Sequence, residues 1–180
     1  YSRHQAHIES IDYYPYNIYQ NNARKDAYCS RTPYQLIDIV DQKGHKNNVN
    51  DIYPYYQAAI SYGLEGDSKK KIDLLTRVMD ASPQVQFYPE ALFELGRSYA
   101  VKEDDDNAFT CFRRLADTVK DSTYIAKAYI EMGSLSRNQS QYDEALGYYK
   151  KVVEEMPLSS YAEDALLAIK SIYQTRNEPE

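Results

Sequence analysis

The chain has 180 residues, 43% of them hydrophobic, and a net charge of −6 at neutral pH, which suits about one domain with a sizeable core. Residues 51–180 carry 15 basic and 22 acidic side chains and residues 1–50 carry 6 and 5, so the larger part is acidic and a nucleic-acid partner is not expected. No run approaches the roughly 18 apolar residues that cross a bilayer, and two cysteines make no disulfide framework.

Residues 1–50 follow no clean period. A helix over residues 4–14 ends at Pro15, a second is expected over 21–31, and Thr32-Pro33 opens a third in which Tyr34, Leu36, Ile37 and Val40 share a face. Gly44 ends it, and residues 44–51 read as a polar linker. The segment is a divergent, helical lead-in. Eleven of the chain's 20 tyrosines lie in residues 1–62. The cluster from Tyr13 to Tyr19 reads as core packing or as a binding surface.

From residue 51 onward the sequence repeats every 37 residues. Tyr55-Tyr56-Gln57-Ala58-Ala59 aligns with Leu92-Phe93-Glu94-Leu95-Gly96, then with Tyr129-Ile130-Glu131-Met132-Gly133, then with Leu166-Leu167-Ala168-Ile169-Lys170. The second halves keep register through Ile72/Leu75, Phe109/Phe112 and Leu146/Tyr149. Apolar residues recur three and four apart, which predicts two amphipathic helices per unit. Asp67-Ser68, residues 104–106 and residues 141–144 punctuate each pair and suit caps for the second helix. Pro83 and Pro157 stop the second helices. A fixed period in this range means one supersecondary unit stacked on copies of itself.

The second copy, Leu92-x-x-Leu95-Gly96-x-x-Tyr99 followed by Ala108-x-x-x-Phe112, resembles the tetratricopeptide repeat with Leu for the usual Trp. The third copy has Tyr129, Met132, Gly133, Ala145, Tyr149 and Pro157, with Ser136 in place of the motif tyrosine. The first has Tyr55, Ala58, Ala59, Tyr62, Leu75 and Pro83, with Lys71 where its second helix needs a small residue. The resemblance implies an all-α fold, a right-handed superhelical solenoid of antiparallel helix pairs. Its units are residues 51–86, 87–123, 124–160 and an incomplete 161–180, read as a piece of a longer array or as a terminal capping helix. The family period is about 34 residues. The surplus of three here falls between Pro83 and Leu92 and between Pro157 and Leu166, at the joints. This lengthened form resembles repeat proteins of bacterial cell envelopes, of the outer-membrane assembly lipoprotein and Tol-Pal-associated kinds. A periplasmic or outer-membrane-associated location is therefore expected, with a cytoplasmic one as the alternative.

No catalytic or phosphate-binding motif appears, no cofactor is expected, and the chain reads as non-enzymatic. His4 and His7 share a helical face but lack a third ligand, so no metal site is expected. The run from Glu103 to Asp106 lacks the alternation of a calcium loop and reads as a solvated turn. Cys111, beside Phe112, reads as a small buried thiol, and its pairing with Cys29 stays open.

The resemblance places partner contacts on the first helices, which line the inner surface in this family. Carried onto this sequence, they fall at Tyr53, Glu90 and Lys127, at Tyr56, Phe93, Ile130 and Leu167, at Ile60, Arg97 and Ser134, and at Arg137. The alternative is that the apolar row Tyr56, Phe93, Ile130, Leu167 only packs neighbouring first helices. As a groove it would hold an extended or helical peptide, with Arg97, Arg137 and Lys127 placed to clasp a carboxylate. The Lys and Asn set with which the family grips a C-terminal carboxylate is not reproduced. The expected function is a scaffold for a partner protein or peptide. Alternatives are self-association through an open solenoid end, where Leu167 and Ile172 stand on an unpaired helix, and glycan capture by the Tyr-rich N-terminus.

Overall fold

The structure is a computed structural model that describes residues 49–81 and 87–176. The expectations for residues 1–48, including His4, His7, Cys29 and the Tyr13–Tyr19 cluster, lie outside these residues. The polar linker expected over residues 44–51 is corrected at its end, where Val49, Asn50 and Asp51 already form the first turn of a helix. Seven α-helices follow one another among them: α1 (Val49–Leu64), α2 (Ser68–Ala81), α3 (Tyr88–Val101), α4 (Asp105–Thr118), α5 (Ser122–Asn138), α6 (Tyr142–Glu155) and α7 (Tyr161–Arg176). Each packs on its neighbours in the chain, and α5 also touches α3 and α7. The fold is a solenoid of stacked helix pairs, as the periodicity predicts and the resemblance implies.

The core is built from the repeated positions. Ala59, Ala108, Ala145 and Ala165 have no exposed surface, and neither do Leu75, Phe112 and Leu115, while Tyr149 is 1% exposed. Small residues on one helix let large ones on the next reach its backbone. A Cβ on Gly96 would lie 2.7 Å from the Phe112 ring, and one on Gly133 would lie 2.7 Å from the Tyr149 ring. Burial of these side chains is the main stabilising term, at roughly 1.5–3 kcal/mol for each large apolar group.

The turn inside each pair is the same three times. The amides of Asp67, Asp104 and Gln141 donate to the carbonyls of Tyr62, Tyr99 and Ser136, at 2.9, 3.0 and 2.8 Å. The amides of Gly66, Glu103 and Ser140 donate to Gly63, Ala100 and Arg137, at 3.2, 3.0 and 2.9 Å. This pair of bonds closes the helix end in a Schellman motif, which puts one residue in the left-handed region. Gly66 (φ 84°), Glu103 (φ 60°) and Ser140 (φ 61°) occupy that place.

Asp104 caps α4 by accepting from the Asn107 amide, and the Asp67 carboxylate accepts from the Lys70 amide at 3.1 Å. That hydrogen bond holds the Asp67 carboxyl below its ordinary pKa. Gln141 stands at the matching place before α6 but makes no side-chain cap. Asp121 caps α5 through the Thr123 amide, at 2.8 Å.

Two expectations change in detail. In the third unit the surplus residues are not a longer joint. Only Val119, Lys120 and Asp121 separate α4 from α5, and α5 has 17 residues where α3 has 14. The extra length is nearly one turn at the front of α5, where the Asp121 cap lets the helix start early. Ile172 is not on an unpaired face: it is fully buried beside Tyr149 and Val152. The exposed apolar residues of α7 are Leu166 and Leu167. Cys111 is a buried thiol, and burial pushes its pKa up to about 11.

Candidate partner-binding groove

The first helices α1, α3, α5 and α7 present the residues expected at the groove, and their environments change along the array. In α1, Tyr53 (6% exposed) and Tyr56 (2% exposed) lie inside the core. Both rings pack on Phe87, with centroids 5.4 and 5.2 Å away. Burial raises the Tyr53 phenol above its ordinary pKa, although Gln57 hydrogen-bonds to it. Ile60, the third position on this helix, is half-buried. At the other end of the apolar row, Leu167 is 60% exposed. The row therefore passes from buried Tyr56, through half-buried Phe93 and Ile130, to exposed Leu167.

The central residues come together between α3 and α5. The Phe93 ring leans on Phe112, with centroids 5.8 Å apart. The Lys127 ammonium lies 5.4 Å from the Phe93 centroid and 4.9 Å from that of Tyr124, and the Arg97 guanidinium lies 6.0 Å from Phe93. Two cations thus flank one aromatic ring, an attraction worth about 0.5–1 kcal/mol each where water has access. Glu90 is half-buried, and its charge helps raise the pKa values of Tyr53 and Tyr124, for which burial is the larger cause.

A line of ion pairs crosses the same helices. Lys71 of α2 holds Glu94 of α3 at 2.7 Å. Arg97 lies 3.9 Å from Glu94 and 3.9 Å from Glu131 of α5. Burial raises the Glu131 pKa, Arg97 works against the rise, and Glu94 adds to it. Ser134 hydrogen-bonds to the hydroxyl of the core residue Tyr149 at 3.2 Å. Arg137 is half-buried in the last turn of α5, away from this cluster in sequence.

Glu90, Phe93, Arg97 and Lys127 thus form one patch with Tyr124, Glu94 and Glu131. Tyr53 and Tyr56 belong to the core, and Leu167 stands at the far end. Sequence reasoning missed Glu94, Glu131 and Lys71 as members of the site. The signal was present: the two glutamates are one period apart, and Lys71 replaces the small residue of the second helix. Among the described residues no group of His, Cys, Asp and Glu is placed to hold a metal ion. No helix among them is long and apolar enough to cross a membrane.

Comparison with known proteins agrees with the helical-solenoid fold. No curated protein sequence matches the chain. The crystal structure of MamA superposes with a TM-score of 0.61 at 19% identity, over 87% of this chain and 85% of that one. Residues 90–122, which hold most of α3 and all of α4, match the tetratricopeptide repeat family model. The matched segment is one unit of the helical solenoid, and the likeness to the solved structure is one of fold.

Proposed function

We propose that the chain is a non-catalytic scaffold that binds a partner protein or peptide across α3 and α5. The observation that carries this reading is the Phe93 patch: a half-buried ring between Arg97 and Lys127, beside Glu131. An aromatic ring with both charge signs around it offers apolar contact and oriented polar contacts at one place, which is how interface anchors work. Arg97 is held only loosely by its two carboxylates at 3.9 Å, so it can turn to a partner at little cost. Ile130 and Leu167 extend the apolar contact towards α7, and Glu90 bounds the patch on the α1 side. Tyr53 and Tyr56 support the patch from within the core.

The partner is a protein segment, extended or helical, because the stacked first helices offer a long, shallow face. The acidic balance of the array disfavours nucleic acid. A bacterial envelope setting is supported by the 37-residue period alone, and fractionation of native cells tests it. A photo-crosslinking amino acid at position 93, compared with one at exposed Lys150 on α6, tests the binding face. The reading expects partner adducts from position 93 and none from position 150; the reverse pattern contradicts it.

A further inference from the structure

The turns between α1 and α2 and between α3 and α4 share one backbone shape and carry related surfaces. Leu64, the last residue of α1, and Val101, the last of α3, are one period apart, and they are 65% and 75% exposed. The fold does not require apolar residues there, because the third and fourth copies hold Asn138 and Thr175, both exposed. At the start of the second helices stand Lys69 and Asp106, also one period apart, both exposed and opposite in sign.

Lys69 is the odd member of this set. The first turns of α4 and α6 carry acidic residues, as the positive end of a helix dipole favours, whereas that of α2 carries Lys69, Lys70 and Lys71 and no acid. Lys71 is held by Glu94 at 2.7 Å and Lys70 by Asp67 at 3.3 Å. Lys69 stands behind Lys70 in its pull on the Asp67 carboxylate and joins no ion pair among the described residues. Its own helix therefore disfavours a cation at that place. Asp106 joins no ion pair among them either, whereas Asp143, its counterpart in the third unit, holds Arg176 at 2.6 Å. The exposed apolar residue and the uncommitted charge thus occur together in the first two units and not in the third.

We infer that this edge of the first two units pairs with the same edge of a second copy of the chain, in reversed order about a two-fold axis between the two turns. In that arrangement Leu64 of each copy meets Val101 of the other, and Lys69 of each meets Asp106 of the other. The two turns are equally far apart on both copies, so both contacts form together. Pairing like turn with like turn would set Lys69 on Lys69 and Asp106 on Asp106. It would also face the acidic run from Glu103 to Asp106 with its own copy, so charge selects the reversed order. The contact is isologous and closes on itself, which gives a dimer and not a filament. Two turns make a small interface, so the dimer is weak and concentration-dependent.

The test is sedimentation equilibrium of the whole chain, from micromolar to near-millimolar concentration. Wild type is compared with Lys69→Glu, with Asp106→Lys, with a one-to-one mixture of the two, and with Leu64→Ser. All three positions are exposed, and circular dichroism checks that the variants stay helical. The inference predicts a wild-type monomer–dimer equilibrium, weakened more than about tenfold in each charge variant by two like-charge contacts. Leu64→Ser weakens it by a similar factor, about tenfold or more, through lost apolar burial. The mixture regains the dimer, because both charge contacts of a mixed pair again join opposite signs. A wild type that stays monomeric throughout leaves Leu64 and Val101 to solvent or to a different partner, and overturns the inference. Single variants that dimerise as wild type does, or a mixture that stays monomeric, overturn it equally.

Discussion

The ring of Phe112 rests against the backbone of Gly96, where a Cβ would come within 2.7 Å of it. One period later Tyr149 does the same to Gly133. The first unit holds Ala59 and Leu75 at the matching places, so a side chain on one helix goes with a smaller one on the other. Phe112 is fully buried and its ring has nowhere to retreat. Gly96→Ala therefore destabilises by about 1–3 kcal/mol through overpacking, in spite of alanine's better helix propensity. Adding Phe112→Leu should recover part of that loss. Gly147→Ala on α6, with nothing within 4 Å of the new Cβ, should stabilise by about 0.5–1 kcal/mol. Urea denaturation of these variants beside wild type measures all of these.

Left-handed backbone at Glu103 and Ser140 is a second local cost. An L side chain there is disfavoured by about 1–2 kcal/mol relative to the right-handed region, and the first unit avoids it with Gly66. Glu103→Gly and Ser140→Gly should each raise stability, by about 1 kcal/mol. The sites are one period apart in separate turns, so the effects should add. A double variant no more stable than wild type in thermal unfolding would contradict the assignment.

Burial raises the Glu131 pKa in the folded chain. The folded state then holds this proton to higher pH than the unfolded state does, so stability falls as pH rises through that window. The loss begins near the unfolded value of about 4.3 and is complete above the folded one. Glu131→Gln should therefore stabilise the protein at neutral pH, with the gain shrinking towards zero below pH about 4. Denaturation curves at several pH values check the sign. A gain that grows at low pH would contradict it.

Lys71 and Glu94 pair at 2.7 Å with side chains only 17% and 23% exposed. Removing one charge leaves the other poorly solvated, at a cost of about 1–3 kcal/mol. Glu94→Gln should destabilise in that range. Lys71→Met with Glu94→Leu should recover most of the loss, because an apolar pair of similar volume fits the same space. A double variant as unstable as the single one would show that the pair supports something besides its own charges.

The fold was legible because its determinants repeat. Gly96 and Gly133, Phe112 and Tyr149, and the apolar positions around them recur at one spacing, and a period states the architecture directly. The site was legible only in part. The fifth position of each motif can be read as a row, but its burial depends on neighbours that do not repeat: Phe87 covers Tyr56, and among the described residues nothing comparable covers Leu167. The ion-pair line runs from α2 through α3 to α5, and Lys71 reaches it only because its helix is packed beside α3. Periodicity shows which residues share a position. The charge pairs between these helices join glutamates that repeat, Glu94 and Glu131, to cations that do not, Lys71 and Arg97.

The central claim is that a partner protein contacts the Phe93 patch. The most direct measurement is affinity capture from native extract by the wild-type chain and by Phe93→Ala/Arg97→Glu, with circular dichroism confirming that both remain helical. The account predicts a protein retained by wild type and lost with the variant. Equal retention by both chains would contradict it and place the contact elsewhere.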